Sequence, residues 1–427
     1  MKKEDSAMKK PIGAKPGDLR RQNYQAILQL FRDKDQLAVR DIMEVVSLSK
    51  TAITNILTNL IEMGTIHSIG KGDSTTQGGK KPELYALNPN YRYSMTVFFS
   101  QHSCFCQIYN LNYNCIAELY QKSESGTEYT YPEALSVMVA QIQTLLAQTR
   151  LTEDQLCGIV FHCPGIVLSQ EGIISRPILD PGWPSNLHVI KDLRRLLPFS
   201  VPFYLDNSSR YYGYYELLNH PIRRTQNIVT IFSSTTVGGS NIRMGHLNHG
   251  LTGLVGEYGH ITTDYTFARR CKCGNYGCFE TGVGTDYVIP RIQKELKLHT
   301  QSLLKQDISS LTMHDIFLAA NAGDHFAQKQ LDFLIQQFSI LLYNLQIAYD
   351  PNEIIIQGEY AESEGYFQDN LRKTIQMLSL HNIQNEVKLT FSFSGRGSTP
   401  EFCLPYAMMG ASLFCFDRYF SQLDFHL

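Results

Sequence analysis

Four side chains in the stretch Gly256 to Glu280, GEYGHITTDYTFARRCKCGNYGCFE, could hold a metal ion: His260, Cys271, Cys273 and Cys278. One imidazole and three thiolates suit tetrahedral Zn2+, whose borderline softness matches nitrogen and sulfur donors. Gly274 and Gly277 let the backbone fold the sulfurs inward. With all four positions filled by protein, no place remains for an activated water. The metal expected here is therefore structural rather than catalytic. The plainer reading is three buried thiols beside an unrelated histidine, but so dense a cluster favours a metal.

The chain that must position this cluster has 427 residues, enough for two or three domains, and is 43% hydrophobic. It contains no run of eighteen apolar residues, so no membrane span is expected. Its start, MKKEDSAMKKPIGAKPG, lacks the apolar segment of a signal peptide. Of its 10 cysteines, those outside the cluster, such as Cys104, Cys157 and Cys403, are scattered without a disulfide pattern. A reducing cytoplasm is expected. Net charge is −2 but unevenly spread: residues 1–90 carry 14 Lys/Arg against 10 Asp/Glu, the remainder 24 against 30. The front end is the part suited to a polyanion.

After a basic tail, residues 1–17, apolar residues Tyr24, Ile27, Leu28 and Phe31 recur at helical spacing. A short second helix is expected over Val39–Val46, then a turn with Ser49 as N-cap of a third helix, KTAITNILTNLIEMG. Its outward side offers Lys50, Thr51, Thr54 and Asn55 to base edges in a major groove. Two strands, Thr65–Ile69 and Glu83–Leu87, flank the loop KGDSTTQGGKKP. There Lys71, Lys80 and Lys81 could meet phosphates or enter the minor groove. Solvated surface lysines are the ordinary alternative, but the order of three helices and a basic glycine loop favours DNA. The expected DNA-facing set is Ser49, Lys50, Thr51, Thr54, Asn55, Lys71, Lys80 and Lys81.

Beyond residue 90 the pattern is α/β. Strand-like runs at Tyr93–Phe99, Cys104–Leu111 and Cys115–Tyr120 suggest a meander. A helix over Pro132–Gln148 and strands at Cys157–His162 and Val201–Leu205 follow. A second set then begins with Asn227–Phe232 and Ser240–Met244. It ends in a long amphipathic helix and the strand Glu353–Gln357. Two such lobes leave a cleft in which ligands lodge.

These features together resemble the ROK family, specifically its transcription-factor branch, over nearly the whole length. LSKTAITNIL and GGKKP resemble that branch's winged helix, whose wing reads GGRRP. GEYGH and CKCGNYGCFE follow the family signature closely, VFHCPGIV resembles its sugar-side turn, and GASLF its last helix. The resemblance implies a winged helix-turn-helix over 18–90, then two ribonuclease-H-like lobes of the actin and sugar-kinase superfamily over 91–427. The first lobe would cover about 91–210 plus the C-terminal helix, and the second about 211–400. It also implies a sugar site at Glu257, His260 and Glu280, with Asn207 and Gly165 beside it. Carboxylates suit sugars because each accepts paired hydroxyl hydrogen bonds.

Two departures bear on function. Family kinases carry a DxGGT-like phosphate turn after the first strand, whereas this chain has Ser100-Gln101-His102-Ser103, without glycine or leading carboxylate. They also carry an Asn-Asp pair with a Glu eight residues on; with Glu216 setting the register, Asn207 fills the Asn position and Ser208 that of the catalytic Asp. An unassisted serine is no base for a sugar hydroxyl at neutral pH, and Asp206 is expected to point along its strand. The second lobe's phosphate segment reads SSTTVGG. No catalytic residue is assigned. The favoured reading is a dimeric, zinc-stabilised DNA-binding regulator of carbohydrate metabolism, a repressor by expectation, that senses a sugar. The alternatives are an active sugar kinase with an appended winged helix, and a regulator controlled by a protein partner.

Overall fold

In the computed structural model the front end folds as the apolar spacing requires. α1 (Pro16–Asp33) turns Tyr24, Ile27, Leu28 and Phe31 inward, α2 (Val39–Met43) adds Ile42, and α3 (Lys50–Glu62) buries Ile53, Ile56, Leu57 and Leu60. Ser49 caps α3, its Oγ accepting from the Ala52 amide at 3.2 Å. α1 begins at Pro16, inside the expected tail, and α2 ends at Met43, short of the expected Val46. β1 (Ile66–Lys71) and β2 (Glu83–Leu87) pair antiparallel, and Leu37 bridges to Tyr85. The residues described are 16–72, 81–124, 127–177, 182–266, 269–299, 301–305, 308–378, 387–392 and 400–423. Lys80 lies outside them.

Two lobes of one plan follow. β3 (Tyr93–Phe99), β4 (Ser103–Asn110) and β5 (Cys115–Lys122) form the meander. α4 (Tyr131–Thr149) leads to β6 (Leu156–Cys163); the hairpin β7 (Ile166–Leu168) and β8 (Ile173–Arg176) and then α5 (Val189–Leu196) lead to β9 (Phe203–Asn207). The sheet order is β5-β4-β3-β6-β9, with β3, β6 and β9 parallel. β9 starts two residues later than expected, because Pro202 has no N–H for the ladder. α6 (Ser208–Asn219) then passes to the second lobe, where β10 (Asn227–Ser233), β11 (Val237–Arg243) and β12 (His246–Leu247) run antiparallel. α7 (Phe279–Val283), α8 (Thr285–Leu296), α9 (Met313–Asn321) and α10 (His325–Tyr349) precede β13 (Glu353–Gly358). α11 (Tyr366–Leu378) and β14 (Lys388–Phe391) complete the order β12-β11-β10-β13-β14. The central strands β6 and β13 are buried at every position, as parallel strands covered on both faces must be.

α6 is the element the two lobes share, and a boundary near residue 210 falls inside it. Gly213 lies so close to the second sheet that a Cβ there would collide with the Ser240 hydroxyl. On its other side α12 (Pro400–Gln422) crosses it at Gly410, where a Cβ would strike the Tyr211 carbonyl. α12 also ties the front end down. One apolar cluster includes Tyr24, Leu28 and Phe31 of α1 with Phe416 and Phe420 of α12. Beside it Asp417 takes the buried Arg32 guanidinium at 2.5 Å, Arg224 at 3.0 Å and the Tyr214 hydroxyl of α6 at 2.5 Å. Among the described residues no helix is long and apolar enough to cross a membrane.

Candidate functional site: a metal cluster beside an interlobe cleft

The chain approaches the metal cluster from two sides. A single helical turn, Tyr258–His260, presents the histidine, and a tight loop presents the cysteines. Gly277 turns that loop at φ +72, where any Cβ would collide with the Asp264 carbonyl, so only glycine fits. Arg176 donates to the Cys273 carbonyl at 3.0 Å and steadies the loop from the first lobe. The four ligand atoms of His260, Cys271, Cys273 and Cys278 lie within 4.8 Å of one another. Cys271 Sγ is 3.7 Å from His260 Nδ1, and the Cys273 and Cys278 sulfurs are 3.7 Å apart. A tetrahedron with zinc–sulfur bonds of about 2.3 Å has edges of about 3.8 Å, so the donor set fits the ion.

The cluster is joined to a cleft between the lobes, a cavity of about 390 Å³. Gly165, Asn207, Glu257, His260 and Glu280 all line it, as does Ser208. Cys278 stands immediately before α7, which delivers Glu280; that carboxylate accepts from the Val237 amide at 3.0 Å, and burial raises its pKa. Burial also pushes Glu257 up to about 7, with Arg210 pulling it back. Asn207 is engaged within the protein: Oδ1 accepts from the Ser209 amide at 2.8 Å, capping α6, and Nδ2 donates to the Gly165 carbonyl at 2.6 Å. Asn207 and Gly165 thus hold each other at the cleft wall.

The position of the kinase base differs from expectation. Ser208 is not unassisted: its Oγ lies 3.0 Å from Nδ1 of His162, a residue to which the sequence assigns no role. His162 Nε2 faces the Met408 sulfur at 3.0 Å. A thioether can only accept, so Nε2 carries the proton and Ser208 donates to Nδ1. Burial holds the imidazole neutral, its pKa lowered to about 3. So weak a base does not restore proton abstraction at neutral pH. The signal available in the sequence is a histidine in an otherwise apolar strand, CGIVFHC, just before the Pro-Gly turn.

Asp206 is not among the residues lining the cleft. It is buried, pairing with Arg210, accepting from Ser169 and the Asn207 amide at 2.9 and 2.8 Å, and meeting His249 Nε2 at 2.6 Å. Burial alone would raise its pKa, but Arg210 and His249 outweigh that and hold it at about 2. Arg210 in turn donates to the Gly253 and Val255 carbonyls, fastening the loop that leads to Glu257.

The turn at Ser100–Ser103 closes on itself. The His102 and Ser103 amides both donate to Ser100 Oγ, at 3.1 and 3.2 Å, so neither is available to a phosphate.

On the front end, Ser49, Lys50, Thr51, Thr54, Asn55, Lys71 and Lys81 are all at the surface. The Thr54 hydroxyl donates to the Lys50 carbonyl at 2.9 Å, leaving its lone pair and methyl facing out.

A family model described as "ROK family" matches residues 108–398. The chain is similar to the xylose repressor of Bacillus subtilis (strain 168), 23% identical over 88% of this chain and 92% of that protein. A glucokinase from Halalkalibacterium halodurans is 31% identical, over 48% of this chain and 62% of the enzyme. Among solved structures, a ROK family transcriptional regulator described as a homolog of the E. coli MLC protein superposes with a TM-score of 0.71. It is 20% identical and covers 94% of this chain and 99% of its own, which shows the fold.

Proposed function

The chain belongs to the ROK family, and from that premise we propose that it is a sequence-specific DNA-binding regulator of carbohydrate metabolism whose cleft senses a sugar without phosphorylating it. The observation that carries this reading is Ser208 at the base position, hydrogen-bonded to a neutral His162, with Asp206 tied up in a buried ion pair. Phosphoryl transfer depends on positioning and charge stabilisation around the phosphate, and the Ser100 hydroxyl already takes the His102 and Ser103 amides of the turn.

The winged front end supplies the DNA contact, with α3 offering Asn55 and Thr54 to base edges and the segment between β1 and β2 contributing Lys71, Lys80 and Lys81 for phosphates. Zinc on His260, Cys271, Cys273 and Cys278 supplies a rigid knot; the chain's own residues, Glu257, His260 and Glu280, hold the sugar. Two copies in a dimer would address paired half-sites, and a sugar that prefers one arrangement of the heads would shift DNA affinity. The comparison with a xylose repressor supports repression, and the scattered thiols support a cytoplasmic setting.

Fluorescence anisotropy with DNA from the chain's own upstream region tests the reading. Lys71→Ala with Lys81→Ala should weaken binding to every sequence alike and reduce the salt slope by about one for each phosphate no longer neutralised. Asn55→Ala should instead alter which sequence is preferred, by about 1–3 kcal/mol at the affected base pair. Binding insensitive to salt would sink the proposal. So would steady phosphosugar formation from ATP and a panel of sugars, which would return the chain to the kinases.

A further inference from the structure

Apart from the imidazoles of His102 and His260 and the Tyr212 phenol, the ionisable side chains lining the cleft are all carboxylic acids. Three carboxylates line it, those of Glu257, Glu280 and Asp286, and no lysine or arginine does so among the described residues. Lys272, close to the mouth, is 3.2 Å from Asp286 and occupied there. The His102 and Ser103 amides are taken by the Ser100 hydroxyl, and the Asn207 side-chain amide is held by Gly165. The α6 N-terminus offers about half a positive charge, and Asn207 Oδ1 already caps it.

Ser208 extends the pattern. Its proton goes to His162 Nδ1, a direction set by the Met408 sulfur on the far side of the ring, so towards the cleft it has only lone pairs. A ligand here meets acceptors at Glu257, Glu280 and Ser208, beside the rings of His260 and His102 and the hydroxyls of Thr235 and Thr236, which can give or take a hydrogen bond. Hydroxyl or ammonium groups, which donate, match that surface. A phosphate, which at neutral pH is anionic and overwhelmingly an acceptor, meets like charge and unmatched lone pairs.

Resting on the sensor reading above, we propose that the effector is an unphosphorylated sugar or amino sugar, selected against its phosphate ester by the carboxylate-lined cleft and by Ser208, which His162 fixes as an acceptor. Ser208 is then a specificity-determining residue. Its role is to receive a ligand hydroxyl where a kinase would remove that hydroxyl's proton.

Isothermal titration calorimetry on the full chain tests this with matched pairs: xylose, glucose, glucosamine and N-acetylglucosamine against glucose 6-phosphate, glucosamine 6-phosphate and N-acetylglucosamine 6-phosphate. At least one free sugar should bind, with its phosphate weaker by about 10-fold or more, because an anionic ester must enter a cleft lined by carboxyl groups with no lysine or arginine to receive it. Ser208→Ala should weaken the free sugar by about 3–10-fold, the size of one hydrogen bond, and lower the thermal midpoint as the buried His162 Nδ1 loses its donor, whereas Ser208→Thr, which keeps the hydroxyl, should retain both. A phosphate ester that binds as tightly as its parent overturns the inference and leaves the sensor reading standing. No binding in either arm overturns the sensor reading itself. Full affinity in Ser208→Ala removes Ser208 from the selection.

Discussion

Cys271→Ser is expected to lose the metal, lower the thermal midpoint and abolish sugar binding together. The three sulfurs are buried, and what else holds their loop is mainly backbone hydrogen bonding, such as the Thr263 and Asp264 amides on the Gly277 carbonyl and the Cys271 amide on Asn275, with Arg176 and Arg269 donating to carbonyls on either side. Structural zinc contributes about 10–16 kcal/mol to the folding of small peptides that have little else. A lobe with its own core depends on it less. Even a third of that, about 4 kcal/mol, is a large share of the roughly 5–15 kcal/mol that ordinarily separates folded from unfolded chains. Binding should fail because two cleft groups hang from the knot: His260 as a ligand, and Glu280 two residues beyond Cys278. Elemental analysis should give one zinc per chain of the parent protein and none for the variant, with calorimetry reporting the midpoint. A parent protein free of metal, or a variant melting with the parent, would remove the zinc from the account.

The second large effect is expected at Asp206. Asp206→Ala leaves the Arg210 guanidinium, only about 1% exposed, without its counter-charge. Breaking a buried pair from one side costs about 3–5 kcal/mol. The loss should reach the cleft as well, since Arg210 holds the Gly253–Val255 backbone ahead of Glu257. The pair also sets a pH dependence. Because Asp206 titrates at about 2 when folded, against about 3.9 when unfolded, its stabilisation is complete above about pH 4. It is lost as pH falls from there towards 2. Chemical denaturation of parent and Asp206→Ala across that range should show curves that converge on acidification. A constant gap down to pH 2 would contradict the assignment.

The parts of this molecule that follow from local pattern can be read from its residues. α3 and its Ser49 cap follow from apolar spacing and one hydroxyl. The first meander and the opening pair of strands in the second lobe follow from β-branched and aromatic runs, though the short β12 does not, and the gathering of His260 with the three cysteines follows from donor chemistry. What spacing does not disclose is pairing across the chain. Arg32 and Asp417 are nearly the full sequence apart, and nothing near either one marks its partner. His162 finds Ser208 and Met408 only after β6, β9 and α12 have packed together. The surroundings of Asp206 are hidden for the same reason: they come from Arg210, Ser169 and His249, which lie on three different segments.

α6 reaches from the cleft to the head of the molecule. Ser208 opens it, and Tyr214, about 9 Å further along at the usual rise per residue, grips the same Asp417 that anchors Arg32 of α1. A helix pinned at both ends cannot transmit in one direction only. If a bound sugar loosens the heads from their operator by some factor, thermodynamics obliges the operator to loosen the sugar by that same factor. Calorimetric titration of the sugar with and without operator DNA should return equal ratios, and Tyr214→Phe should bring both ratios towards one.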